Sequence, residues 1–363
     1  MPDAARSMES EWVFSDAHEL ALRRCGSKPA RFVEVYAHEG DPTHCLRRRI
    51  RETGVAATVQ PVHVGPGGAR LDTAARISNE SLDFVFINVG RDFLSVRNAI
   101  REWWPKLRPG GLFAGSGYGH STEIAAAVDG FVTIHQLARA FRTSDTTWMI
   151  YKSLRIDAAY CISLRHRTDR RASATGQFRA AGMQPPVWFF DAVDGKQLRH
   201  PGVVSDGQAG CAASHLQLLQ AAALRGHRHV LIFEDDVELV DGFMSRFDSA
   251  LARCPASYDL LYIGACCHPH WGTYLYPFDD LLARAGRVYG AHAYVVNVDT
   301  LPEIDTGLRE LEVVNDQWYA NVLQPRSNCY VCVPYLAHQQ PGYSDISNGY
   351  NNERHYWSHY VWR

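Results

Sequence analysis

Two consecutive α/β domains are what this sequence predicts, and three observations carry that reading. The chain has 363 residues, more than one hydrophobic core ordinarily supports. Residues 31–152 alternate short apolar runs with amphipathic stretches, the order of a parallel sheet with covering helices. A second series of the same kind starts near Asp157, and one of its apolar runs ends in three consecutive carboxylates. The boundary falls between residues 153 and 154, giving domains 1–153 and 154–363.

The first series opens with a buried strand over Arg31–Val35. Thr58–Val64 is a weaker strand because Pro61 interrupts its donors, and Leu82–Ile87 is a third. Val96–Leu107 reads as an amphipathic helix ended by Pro109-Gly110-Gly111, after which Leu112–Ala114 resumes a strand. A helix near Ile134–Phe141 and a strand over Thr147–Lys152 close the domain.

Composition bounds what such a chain does. At 46% hydrophobic and 21% charged residues, with nine Trp and seventeen Tyr, it fills two cores and carries no mark of disorder. A net charge of -2 gives no basic field for nucleic acid and no polybasic stretch for an anionic membrane. The N-terminal MPDAARSMESEWVF has acids where an export signal carries positive charge, and the apolar run Val230–Phe233 is far short of the roughly 20 residues that span a bilayer. A cytoplasmic protein without stable membrane insertion is expected. Nine scattered cysteines fit free thiols in a reducing compartment. Cys329 and Cys332 have C-x-x-C spacing and Cys266, Cys267, His268 and His270 lie on another segment, so a structural zinc site is one reading. The plainer one is that Cys329–Val333 form a buried strand.

The segments Phe32–Gly40, Leu82–Asn88 and Trp103–Gly115, the last ending Arg-Pro-Gly-Gly-Leu-Phe-Ala-Gly, resemble a class I S-adenosylmethionine-dependent methyltransferase over about residues 20–152. The resemblance implies a Rossmann-like fold. Three departures argue against the cofactor. Tyr36 stands where the family's first loop glycine belongs, Asn88 replaces its acidic residue, and Ser116-Gly117 replaces its His-Asp pair. A degenerate domain with a scaffolding or homo-oligomerising role is expected, and S-adenosylmethionine is not.

The second series begins with a strand over Ala158–Leu164, the charged turn Arg165–Arg171 and a helix. Phe189–Gly195 reads as a strand ending at a tight turn, and Gly210–His215 opens a helix running to about Leu224. The strand Val230–Phe233 then delivers Glu234, Asp235 and Asp236 at its carboxyl end, where α/β sheets bind ligands. Three adjacent carboxylates repel unless a cation or donors neutralise them, and oxygen ligation suits Mg2+ or Mn2+ bridging to a diphosphate. Alternation along an extended chain places Glu234 and Asp236 on one side and Asp235 on the other. Asp236 is the first choice of metal ligand, with Glu234 holding the metal site or the ribose and Asp235 reaching the sugar or supporting the loop. The plainer reading is a solvated acidic turn.

Cys161-Ile-Ser-Leu with Arg167, Asp169 and Arg170, Phe190–Gly195, Gly210-Cys-x-x-Ser-His215 and Phe233–Asp236 resemble, in order and spacing, glycosyltransferase family 25. Tyr262-Ile-Gly264, Gly290–Tyr294, Asn315-Asp316 and Gln339-x-x-x-Tyr-Ser-Asp-Ile346 continue it to about residue 348. That family includes the galactosyltransferases of bacterial lipooligosaccharide, hence LPS, biosynthesis and those of collagen hydroxylysine. The resemblance implies a GT-A fold, a UDP-hexose donor such as UDP-galactose, Mn2+ or Mg2+, and a glycan, lipid-linked or peptide acceptor. It assigns Ser163, Arg167, Asp169, Arg170, Ala192, Asp194 and Gly195 to donor contact, and Ser214 and His215 to the donor pocket. The plainer readings are that Asp169 caps a helix, Gly195 closes a turn and His215 is a satisfied buried histidine. Family 25 is regarded as inverting, which needs one base. Asp316 is the candidate base, or else an N-cap, and His338 is a candidate further metal ligand. A methyltransferase with a glycan-recognising second half and a non-catalytic assembly protein are the alternatives.

Overall fold

The computed structural model describes residues 15–25, 29–37, 43–64, 72–138, 140–346, 349–351 and 360–363. The acidic N-terminal segment, residues 38–40 and most of the aromatic tail lie outside the described residues. The chain divides into two units, Met1–Ser153 with Pro255–Ser257 and Leu154–Cys254 with Tyr258–Arg363. Among the described residues no helix is long and apolar enough to cross a membrane.

The first unit runs α1 (Asp16–Arg24), β1 (Ala30–Tyr36), α2 (His44–Thr53), β2 (Ala57–His63), α3 (Asp72–Ala75), β3 (Leu82–Asn88), α4 (Phe93–Trp103), β4 (Leu107–Gly115), α5 (Thr122–Ile134), β5 (Phe141–Ser144) and β6 (Thr147–Tyr151). Its sheet has the order β2-β1-β3-β4-β6-β5, in which β6 alone runs antiparallel and β5, antiparallel to β6, returns to the direction of the four parallel strands. Val33, Val35, Val85, Ile87 and Phe113 share one core with Ile100 and Trp103 of α4 and Val128 of α5, the period of two expected of strands covered on a face. Glu34, the only acid in β1, is buried, and its Oε1 lies 2.7 Å from His18 Nε2.

Three expectations are corrected here. The helix over residues 134–141 is instead α5, which ends at Ile134 and is followed by a strand. Ser121 starts α5, its Oγ accepting the Ile124 N–H at 3.3 Å. α4 begins earlier than Val96 because Asp92 caps it, accepting the Ser95 N–H at 2.9 Å. Pro109-Gly110-Gly111 lies within β4 rather than before it, with Gly110 at φ +81°.

The second unit runs β7 (Ala158–Ser163), α6 (Thr168–Ala181), β8 (Val187–Asp191), α7 (Asp206–Leu224), β9 (His229–Glu234), β10 (Val237–Leu239), α8 (Phe243–Arg253), β11 (Leu260–Cys266), β12 (Tyr274–Pro277), β13 (Leu282–Arg287), β14 (Tyr289–Asn297), α9 (Leu301–Leu308), α10 (Asn315–Trp318), β15 (Cys329–Cys332), β16 (Ala337–Gln339), β17 (Gly342–Ser344) and β18 (Gly349–Asn351). An eight-stranded mixed sheet has the order β12-β13-β15-β11-β14-β9-β7-β8. One face is covered by α7, α9 and α10 and the other by α6 and α8. α7 starts four residues before Gly210 because Ser205 and Gln208 form a capping box at Asp206.

Cys329 belongs to the core on one face of this sheet and Cys332 to the core on the other. Residues three apart on a strand point to opposite faces, so the C-x-x-C spacing cannot converge on one zinc ion. Buried apolar cysteines are the better account.

Phe233 is fully buried, with the rings of Phe178 and Phe243 at 5.1 Å and 6.3 Å. Phe233→Ala is expected to destabilise by about 3–5 kcal/mol, read as a lowered denaturant midpoint. A cost under about 1 kcal/mol would mean that this face of β9 is not packed as described.

Candidate active site

Strand alternation builds the site. On β9, Val230 and Ile232 face the core that α7 covers, while Leu231 and Phe233 face the core under α6 and α8. The same period carries Glu234 to the α7 side and Asp235 to the α6 side. Glu234 Oε1 lies 3.3 Å from His215 Nε2 of α7, and Asp235 accepts from Arg170 Nη1 of α6 at 2.9 Å. β9 ends at Glu234, so Asp236 stands in a turn and is reached from both sides. Gln339 Nε2 donates to its Oδ1 at 3.3 Å, and Arg170 Nη1 to its Oδ2 at 3.4 Å. The simple division of the acids is corrected accordingly: Asp236 shares Gln339 with Glu234 and Arg170 with Asp235.

These acids line a cavity of about 450 Å³ at the carboxyl ends of β7 and β9, beside the first turns of α7. Ser163, Arg170, Ala192, Asp194, Gly195, Ser214, His215, Glu234, Asp235 and Asp236 all line it. Four expected residues do not. Arg167 pairs with Asp169 and with Asp345, and its guanidinium holds the exposed Asp169 carboxyl down at about 2. His338 neighbours the lining residue Gln339 on β16, and alternation turns the two side chains to opposite faces. Asp316 sits at the start of α10, accepts the Gly290 N–H at 3.1 Å, and is pushed up by burial.

Two glycines let the backbone close around this space. A Cβ on Gly195 would meet Asp206 O at 1.6 Å, and one on Gly210 would meet Gly195 N and Val193 O at 2.7 Å. The Asp194-Gly195 turn and α7 touch backbone to backbone. Ser214 fastens the contact by accepting the Val193 N–H at 2.8 Å. Gly195 therefore does more than close a turn.

Electrostatics separates the acids. Burial, the largest single influence on Glu234, would raise it, but the hydrogen bond with His215 and the charges of His215, His292 and Arg170 together outweigh it and hold that carboxyl below its ordinary range. Asp236 is pushed up to about 7, first by burial and then by the Glu234 charge beside it.

The segment from Gly342 to Ile346 roofs the cavity. Arg167 grips Asp345, Arg170 donates to Tyr343 O, and Gly207 lets the backbone of Asp345 and Ile346 approach so closely that a Cβ there would lie 2.7 Å from it. Cys211, Gln339 and Asp345 are lining residues that sequence reasoning left without a role. Each stood inside a recognised stretch, but nothing in the sequence tells which side of a strand or helix meets the acids.

In the first unit, Tyr36 ends β1, buried, with its ring 5.4 Å from that of His63. Ser116 Oγ donates to Asn88 Oδ1 at 3.1 Å. Where the methyltransferase pattern has acids, this unit has a neutral hydrogen-bonded pair.

The family described as "Glycosyltransferase family 25 (LPS biosynthesis protein)" matches residues 156–266, and a "Methyltransferase domain" family matches residues 18–122. A "Glycosyltransferase 25 family member" of Anopheles gambiae is 27% identical over 40% of this chain and 28% of its own length. An "Inactive glycosyltransferase 25 family member 3" of Mus musculus is 30% identical over 30% of this chain and 22% of its own. A "Procollagen lysyl hydroxylase and glycosyltransferase" of Acanthamoeba polyphaga mimivirus is 24% identical over 39% of this chain and 18% of its own. The matched region thus spans less than a third of each relative. The C-terminal half thus resembles glycosyltransferase family 25 over residues 156–266, after a methyltransferase-like match over residues 18–122, and both matches lie in mixed α/β units.

Gly195→Ala is expected to lower the melting temperature by several degrees or to prevent folding. Gly176→Ala, inside α6 where a Cβ meets nothing within 4 Å, should instead stabilise by up to about 1 kcal/mol. Equal effects of the two in a thermal melt would refute the backbone contact.

Proposed function

We propose that this protein is a metal-dependent, inverting glycosyltransferase that moves a hexose, galactose from UDP-galactose, to a hydroxyl of a glycan, lipid-linked or peptide acceptor. The observation that carries the reading is the convergence of Glu234, Asp235 and Asp236 on one cavity at the carboxyl edge of the sheet. Relatives named inactive and relatives named simply as family members are both similar to this chain, so the reading leans on these acids and not on the relatives' names.

The site's chemistry fits a hard divalent cation. Asp236 is crowded by a second carboxylate, and its contacts to Gln339 and Arg170, at 3.3 Å and 3.4 Å, leave it short of compensating charge. Mn2+ or Mg2+ held by Asp236 and Glu234 would supply Lewis-acid neutralisation of the departing diphosphate. The chain does the rest. Arg170 places a fixed positive charge beside the acids, and Ser163, Ala192 and the Asp194-Gly195 turn form the wall that orients the nucleotide. Asp235, locked by Arg170, faces the sugar. Inversion needs one base, and burial makes Asp316 a stronger one than a solvated carboxylate. The first unit binds no S-adenosylmethionine in this reading, since Tyr36 and the Asn88–Ser116 pair occupy the positions its contacts would need.

Calorimetric titration with UDP and Mn2+, run beside S-adenosylmethionine, tests the reading. UDP is expected to bind only with metal, and Asp236→Ala to weaken binding by tenfold or more. Binding of S-adenosylmethionine without UDP would move the chemistry to the first unit.

The metal should also bind more weakly in acid. Asp236 has a folded value near 7 and an unfolded value near 3.8, so the metal-free protein holds a proton there between those pH values. Stability of that form should fall as pH rises through this window, and Mn2+ affinity should rise. A flat affinity from pH 5.5 to 7.5 would contradict the assignment.

Asp316→Asn is expected to leave metal-dependent UDP binding intact and cut transfer by at least a hundredfold. Loss of UDP binding in that variant would make Asp316 a structural residue.

A further inference from the structure

We propose a second cation site of different chemistry, formed by Cys211, His215 and Glu234, that takes a borderline-soft divalent ion such as Zn2+. Cys211 and His215 are four residues apart on α7, so both project from one helix face, and that face meets the end of β9. The Sγ, a ring nitrogen and a carboxylate oxygen of the three lie within 4.8 Å of one another.

Two of the separations are close to those of ligands sharing a tetrahedral ion. Ligands about 2.0–2.3 Å from zinc stand roughly 3.3–3.8 Å apart along the tetrahedron's edges. His215 Nε2 is 3.3 Å and Cys211 Sγ 3.9 Å from Glu234 Oε1. A thiol at 3.9 Å from one acceptor and 3.7 Å from the next, Asn315 Oδ1, gains little from either contact.

The surroundings are those of a ligating histidine. His215 is fully buried, and its Nδ1 lies 2.8 Å from the Tyr294 hydroxyl, which fixes the ring with Nε2 toward Glu234. Beside Cys211, the buried Asn315 Nδ2 has no hydrogen-bond partner among the described residues, a donor available to an oxygen on the bound ion. All three ligands line the cavity, which leaves the fourth position open to solvent or a small ligand. Three protein ligands with one open place describe a reactive or regulated zinc site rather than a closed structural one. Thiolate and imidazole select against Mg2+ and Mn2+, so this site and the oxygen-rich Asp236 site differ in preference while sharing the Glu234 carboxylate.

The test uses the full chain, stripped of metal by a chelator and titrated with Co2+ and then Zn2+, without nucleotide. One equivalent of Co2+ is expected to give a thiolate charge-transfer absorption that Zn2+ abolishes, and Cys211→Ser should remove that absorption. In the unsubstituted protein, Zn2+ should slow alkylation of Cys211 at least tenfold, mapped by peptide mass spectrometry, a readout that does not depend on any variant folding. Absence of the absorption, its survival in Cys211→Ser, or unchanged alkylation of Cys211 would overturn the proposal. None of these readouts involves UDP, so their failure leaves the glycosyltransferase reading intact, and failure of that reading leaves them interpretable.

Discussion

Mutual repulsion among three consecutive carboxylates is the constraint around which the second unit is arranged. Left unanswered at a strand end, the charges of Glu234, Asp235 and Asp236 would oppose folding. The fold answers each from a different element: α7 brings His215 to Glu234, α6 brings Arg170 to Asp235, and β16 brings Gln339 between Glu234 and Asp236. Helices on both faces of the sheet and a late strand beyond its edge are therefore tied to one point. That answer is incomplete at Asp236, where neutral and long contacts leave a carboxyl that prefers a proton near neutrality. A site that is stable yet short of one charge is suited to exchanging a cation.

Much of this was legible before any coordinates. Short apolar runs marked β1 to β4 and β6 of the first unit and β7, β8, β9 and β15 of the second, while β5, β10 to β14 and β16 to β18 went unread, and the abrupt change from Phe233 to Glu234 marked the candidate ligand edge. The side of approach was not legible. His338 and Gln339 are adjacent and both suitable in type, and only the register of β16 against β10 turns Gln339 inward. Arg167 and Arg170 illustrate the same limit on a helix start. Three residues apart, one reaches the acids and the other is taken up by Asp169 and Asp345. Sequence spacing identified the cluster, whereas long-range pairing chose its members.

The glycines show a further limit of composition-based reading. Gly195 and Gly210 looked like turn and helix-start residues, yet they matter to each other, because their backbones touch where any side chain would intrude. The first unit repeats the theme in reverse. Its sheet is mostly parallel, and at its carboxyl edge Tyr36 is buried and Ser116 bonds Asn88, contributing packing and a neutral hydrogen bond.

The roof over the cavity has a consequence for timing. Arg170 holds Tyr343 O from inside the cavity, while Arg167, outside its lining, pairs with Asp345, a carboxylate partly open to solvent. The Arg167–Asp345 pair is weakened by dissolved salt, whereas the contacts of Arg170 with Asp235 and Asp236, whose carboxylates are less exposed than that of Asp345, are screened less. Ionic strength would then act on how long a bound molecule stays enclosed while leaving the groups that grip it largely unchanged, and residence time and intrinsic affinity become separately adjustable properties of one small domain.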